Sequence, residues 1–104
     1  IEKNKDHISQ AFCYEDILKN QKDGKISAIL TLEEGEVCKG DIKKLEEFYS
    51  YGARMMALTW NYDNSLSTAN ANKKPWKRNY TGKRAGLTET GIEFVARMEE
   101  LGMN

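Results

Sequence analysis

Two short apolar runs with one amphipathic helix between them constrain the fold of this chain most strongly. Residues Ile26 to Leu32 form a nearly continuous apolar run between turn signals, and Arg54 to Thr59 form a second one. Short apolar runs of this kind are typical of strands that are covered on both faces, as in parallel sheets. Two parallel strands joined through a helix require a right-handed crossover. The sequence therefore predicts an α/β fold with parallel strands and flanking helices.

Two helices are predicted in the first half of the chain. The earlier one covers Tyr14 to Lys22 and follows a short candidate strand, Ile8 to Phe12. The later one lies between the two apolar runs, with Asp41 as its N-cap and Gly52 as its C-cap. The predicted order of the main elements is helix, strand, helix, strand, long loop and helix.

The last helix is predicted to begin near Thr88 or Thr90 and to end at Gly102. Thr90 and Glu93 fit a capping box, and Arg97 follows Glu93 at the spacing of an i,i+4 ion pair. The apolar side chains expected on the buried face of this helix are Phe94, Val95, Met98 and Leu101.

Composition allows one domain with a thin core. Sixteen basic residues balance sixteen acidic ones, so the bulk charge does not favour nucleic-acid binding. Cys13 and Cys38 lack the spacing of a metal site and are expected to be reduced thiols, buried or half-buried. No apolar stretch approaches the roughly 20 residues of a membrane helix. The chain starts at Ile1 without a leader pattern, so we interpret it as a segment of a longer parent, and the cytoplasm is the favoured location.

A loop over residues 65–86 follows the second apolar run and has no periodicity. It contains six basic residues and no acidic one: Lys73, Lys74, Lys77, Arg78, Lys83 and Arg84. Trp76 and Tyr80 lie among these cations, and such a mixture can follow a phosphate backbone and stack on bases. An alternative function is therefore a small anion- or nucleic-acid-binding module that uses residues 73–84. A solvated loop that is mobile for lack of apolar contacts is the simpler interpretation.

Polar residues follow each of the two apolar runs. Glu33 and Glu34 come directly after the first run, and Trp60 and Asn61 come directly after the second. The carboxyl ends of parallel strands lie at one edge of a sheet, which is where ligands bind in α/β folds. The sequence therefore predicts a binding site at this edge. Asn64, further along, is expected to bond its own loop backbone.

Four stretches of the chain carry a further signal through their order and spacing: Asp23 to Gly35, Leu45 to Thr59, Asn61 to Asn64, and Gly86 to Gly102. Together they resemble the membrane (renal) dipeptidase family of zinc peptidases. The resemblance implies that residues 1–104 are an internal fragment of a (β/α)8 TIM barrel. It also implies a parent that hydrolyses dipeptides with hydroxide activated by two zinc ions.

The resemblance assigns roles to the residues at the predicted sheet edge. Glu33 takes the position of the carboxylate that bridges the two zinc ions, and Glu34 is the alternative if the register slips by one. A bridging carboxylate offsets the repulsion between two dications and fixes their separation. Trp60 stands where many members carry a histidine, and it and Asn61 are the candidate substrate-binding residues.

The other zinc ligands of the family are expected outside this segment. A His-x-Asp pair would precede Ile1, two histidines would follow Asn104, and His7 fits none of these positions. A catalytic zinc ordinarily needs three protein ligands, so we expect the segment to lack zinc and to be inactive alone. Cut from a barrel, it is expected to form a homo-oligomer through unpaired strand edges. A non-catalytic, self-associating fragment is thus a further alternative.

Overall fold

The computed structural model describes residues 1–69 and 86–104. Its main elements are β1 (Ile8–Gln10), α1 (Tyr14–Lys22), β2 (Ile26–Ala28), β3 (Leu30–Leu32), α2 (Ile42–Ser50), β4 (Ala53–Met56) and α3 (Glu89–Leu101). Short 3-10 turns cover Glu2–Asn4 and Gly35–Cys38. The basic residues 73–84, and with them the predicted mobility of their loop, lie outside the described residues.

The described strands pair in parallel, as the sequence predicts. In one pair β1 lies beside β2, with Ile8 opposite Ile26, and in the other β3 lies beside β4, with Leu32 opposite Met56. The first apolar run was predicted as one strand, but it divides at Ile29 into β2 and β3. The division arises because each half pairs with a different neighbour, and the second pair has a shifted register at its start.

The prediction that both apolar runs are covered on two faces is wrong for the described residues. Leu32 packs against the core and Met56 is buried, whereas Ile26, Leu30 and Met55 are exposed. The strands form two separate two-stranded sheets, β1 with β2 and β3 with β4. Sheets this small leave apolar side chains uncovered, since covering both faces of a parallel sheet requires packing layers on each side.

The free edge of β4 has a partner in the last residue of the chain. The backbone N–H of Asn104 donates to the carbonyl of Arg54 at 2.9 Å, and the N–H of Met56 donates to the carbonyl of Asn104 at 2.7 Å. This pattern is that of a parallel bridge. The chain therefore returns through α3 to the side of β4, which is the repeating connection of an α/β barrel.

The core lies between the strands and helices α2 and α3. Its largest fully buried side chains are Phe94, Leu45, Leu66 and Cys38. Both cysteines are free thiols, as predicted. Cys38 is buried, which raises the pKa of its thiol, but the expectation that both would be buried or half-buried is wrong for Cys13, which is exposed.

Helix α2 matches its prediction closely. Asp41 is the N-cap, and its side chain accepts a hydrogen bond from the N–H of Lys43 at 2.9 Å. The C-cap is Tyr51 rather than Gly52, which follows one residue later with a φ of 104°. Only glycine adopts this backbone conformation at little cost, so Gly52 still marks the end of the helix.

Helix α3 departs from its prediction at both its cap and its ion pair. Thr88 is the N-cap and accepts from the N–H of Gly91 at 2.9 Å, so the predicted capping box of Thr90 and Glu93 is wrong. The hydroxyl of Thr88 also donates to the carbonyl of Ser65 at 2.8 Å and lies 3.1 Å from the carbonyl of Leu66, and these contacts favour the earlier start. The C-terminal end is at Gly102, as predicted.

Arg97 joins α3 to α2 instead of pairing with Glu93. Its guanidinium lies 2.7 Å from Glu46 on α2 and 2.6 Å from Glu100 on its own helix. The two carboxylates hydrogen-bond the guanidinium and raise the pKa of Arg97. An ion pair between helices is not visible in the spacing of one helix, which explains the wrong prediction.

Candidate functional site at the carboxyl edge of the strands

The residues that follow β3 and β4 line one cavity of about 280 Å³. Its lining residues are Glu33, Glu34, Glu36, Trp60, Tyr62, Asp63 and Asn64. Parallel pairing brings the two strand ends together, so the structure places three of the predicted site residues, Glu33, Glu34 and Trp60, in one site. Asn61 is half-buried and is absent from the lining. Sequence reasoning missed Tyr62 and Asp63, although both lie within three residues of Trp60.

The three glutamates of the cavity differ in their contacts. Glu34 accepts a hydrogen bond from the side-chain amide of Asn64 at 3.1 Å. Glu36 accepts from both the N–H and the hydroxyl of Ser65 at 3.0 Å, and these donors lower the pKa of its carboxyl. Glu33 is exposed and has no hydrogen bond or ion pair to another described residue. Of the three, Glu33 is the carboxylate that is free to bind a ligand.

Asn64 organises the wall of the cavity. Its Nδ2 donates to Glu34 and, at 2.7 Å, to the carbonyl of Leu58. Its Oδ1 accepts from the backbone N–H groups of Leu66 at 2.9 Å and Ser67 at 3.1 Å. The prediction that Asn64 bonds its own loop is confirmed, and the side chain also ties that loop to the residues after β3.

Replacing Asn64 by aspartate should loosen this wall. The carboxylate keeps both acceptor contacts of Oδ1 but loses the two donors and faces the charge of Glu34. The lost donors should lower the free energy of unfolding by about 1–3 kcal/mol. Urea denaturation followed by circular dichroism measures the change, and Asn61→Asp is the matched control outside the lining. Equal stability of the two variants would contradict the role of Asn64.

Two aromatic rings form the other side of the cavity. The ring centroids of Trp60 and Tyr62 are 6.4 Å apart at an interplanar angle of 68°, which is an edge-to-face arrangement. Both side chains are more than half exposed, at 58% and 71%. Asp63 directly follows Tyr62 in sequence, and its side chain accepts a hydrogen bond from the N–H of Ala69 at 2.8 Å. The cavity thus combines ring faces with negative charge.

The cavity has one carboxylate without any described hydrogen-bond partner, that of Glu33, but the described residues form no complete metal site. Within residues 1–69 and 86–104, no group of three or more His, Cys, Asp or Glu is placed to hold a metal ion. The carboxylate of Glu33 has no described partner and adjoins the cavity, and carboxylates are among the ligands that zinc takes in proteins. Any further ligands would have to come from outside the described residues.

No helix in the described part of the chain combines the length and the apolar character that a membrane span requires.

Comparison with known proteins identifies the family and the fold of the chain. The family model of membrane dipeptidase, peptidase family M19, matches residues 1–104. The crystal structure of an amidohydrolase from Pseudomonas aeruginosa is similar, with a TM-score of 0.80 and 23% sequence identity over 99% of this chain. The chain spans 29% of that protein. The likeness confirms the predicted fold class, an α/β arrangement that forms part of a TIM barrel. The chain belongs to the membrane dipeptidase family of zinc-dependent peptidases.

Proposed function

We propose that this segment supplies part of the active site of a zinc-dependent dipeptidase. Membership of the family supports the reaction class, and the free carboxylate of Glu33 at the carboxyl edge of β3 supports the location. That carboxylate is the observation that carries the proposal, because the neighbouring Glu34 and Glu36 already bind the loop after β4.

Glu33 would hold the two zinc ions from one side, and Glu34 is the less favoured alternative. When bound, the zinc pair supplies a hydroxide at neutral pH and polarises the scissile carbonyl. Trp60 forms a wall beside the substrate, where its indole N–H can donate one hydrogen bond but cannot transfer a proton. Asn61 is a candidate polar contact behind this wall.

Activity should require sequence beyond this segment. The purified segment should not cleave a simple dipeptide even with added zinc, because one carboxylate cannot fix the geometry that a catalytic zinc needs. A longer protein that includes both flanking regions should cleave it, and a chelator should stop the reaction. Cleavage by the segment alone, free of contaminating peptidase, would contradict the role assigned here. Salt-sensitive oligonucleotide binding without dipeptide cleavage would favour the alternative based on residues 73–84.

The isolated segment should self-associate. Ile26, Leu30 and Met55 are exposed apolar side chains of the strands, and apolar side chains and strand edges of this kind favour pairing with another chain. Asn104 occupies part of the edge of β4, so the contact should use these apolar side chains more than that edge. Light scattering at rising concentration measures the mass. A constant monomer mass would rule out the homo-oligomer.

A further inference from the structure

The cavity at the carboxyl edge has the composition of a cation-binding pocket. Among the described residues, its lining contains two exposed aromatic side chains, Trp60 and Tyr62, together with four carboxylates and no lysine or arginine. The face of an aromatic ring carries partial negative charge and attracts ammonium or guanidinium groups. Rings and carboxylates on one cavity therefore favour the same kind of ligand.

The negative charge of the cavity is not neutralised within the described structure. The described lysines and arginines form ion pairs only through Arg97, which contacts Glu46 and Glu100 outside the cavity. In the proposed function zinc binds Glu33. The remaining lining carboxylates are Glu34, Glu36 and Asp63, and none of them forms an ion pair with a described lysine or arginine.

Resting on the proposed function, we propose that this cavity binds the positively charged side chain of a dipeptide substrate, so that the enzyme prefers dipeptides containing arginine or lysine. Trp60 and Tyr62 contact the cation through their rings, and Asp63 supplies the counter-charge. Every dipeptide with a free amino terminus carries an α-ammonium group, so selection among dipeptides must come from the side chain.

Asp63 is suited to this role because one of its oxygens is free. Oδ1 accepts from the N–H of Ala69, while Oδ2 has no hydrogen bond to another described residue. Asp63→Asn keeps the acceptor at Oδ1 and removes only the charge. Glu99→Gln removes a charge from the exposed side of α3, outside the cavity, and is the matched control.

The test uses the longer protein with both flanking regions and compares arginine with citrulline, which has nearly the same shape without the charge. The value of kcat/KM should be about tenfold higher for Arg-Ala than for citrulline-Ala, or for Ala-Arg than for Ala-citrulline. A cation that lies over aromatic rings and beside a carboxylate gains an interaction of about this size. Asp63→Asn and Tyr62→Leu should each lower this ratio to below about threefold, and Glu99→Gln should keep it.

The possible outcomes distinguish a failure of this inference from a failure of the proposed function. Cleavage of both members of a pair at equal kcat/KM would overturn the inference and leave the dipeptidase intact. A preference for arginine that neither variant in the cavity reduces would overturn it as well. If no dipeptide is cleaved, the proposed function fails, and calorimetry of the same dipeptides with the zinc-free protein becomes the test. Tighter binding of the arginine dipeptide that Asp63→Asn removes would support the inference, and equal or absent binding would overturn it.

Discussion

Replacing Glu33 by glutamine in the longer protein should lower dipeptide turnover by more than about 100-fold. Changes to groups that merely support metal ligands already cost about 10- to 100-fold in metal affinity or activity, and a bridging ligand acts on both ions directly. Glutamine keeps the shape of the side chain but removes the charge between two dications. Because Glu33 is exposed and has no described partner, the substitution should leave the fold unchanged.

The matched control is Glu34→Gln. The Oε1 of glutamine can still accept from Asn64, as the Oε2 of Glu34 does at 3.1 Å, so the wall of the cavity should persist and the loss of activity should be much smaller. Steady-state rates and the zinc content of each purified variant are the measurements. If Glu33→Gln instead kept full activity and zinc content while Glu34→Gln lost both, Glu34 would be the bridging residue.

The order of elements in this chain could be predicted from the sequence because local signals determine it. Helix α1 has the predicted bounds, and α2 begins after the predicted cap, since a capping aspartate and an apolar stripe act within one turn of the helix. The division of the first apolar run at Ile29 could not be predicted in this way. The division depends on which strand lies beside each half of the run. The residue pattern within the run does not indicate which strands those are.

Part of the candidate site could likewise be predicted from the sequence, and part could not. The meeting of Glu33 and Trp60 in one cavity follows from parallel strands and needs no further knowledge of the fold. The difference between Glu33 and Glu34 depends on Asn64, which lies 30 residues after Glu34 and reaches it through a loop without periodicity. The ion pair between Arg97 and Glu46 likewise depends on a residue of another helix.

Truncating Phe94 to alanine should lower the free energy of unfolding by about 3–5 kcal/mol, which is the largest stability change expected in this chain. The sequence predicts that Phe94 and Val95 are both buried, yet Phe94 is 0% exposed within the core and Val95 is 41% exposed. In α3, which Thr88 rather than Thr90 caps, Phe94 and Met98 are buried in the core. Val95, the residue next to Phe94, is exposed.

Val95→Ala on the same turn is therefore the matched control for Phe94→Ala. It should cost less than about 1 kcal/mol, because a half-exposed side chain leaves little cavity and loses little burial. Urea denaturation of each variant, followed by circular dichroism, gives both values under the same conditions. Equal losses for the two variants would mean that both faces of α3 are buried, and the predicted stripe that includes Val95 would then be correct. A small loss at Phe94 alone would mean that the core between α2, β4 and α3 refills the space that the ring leaves.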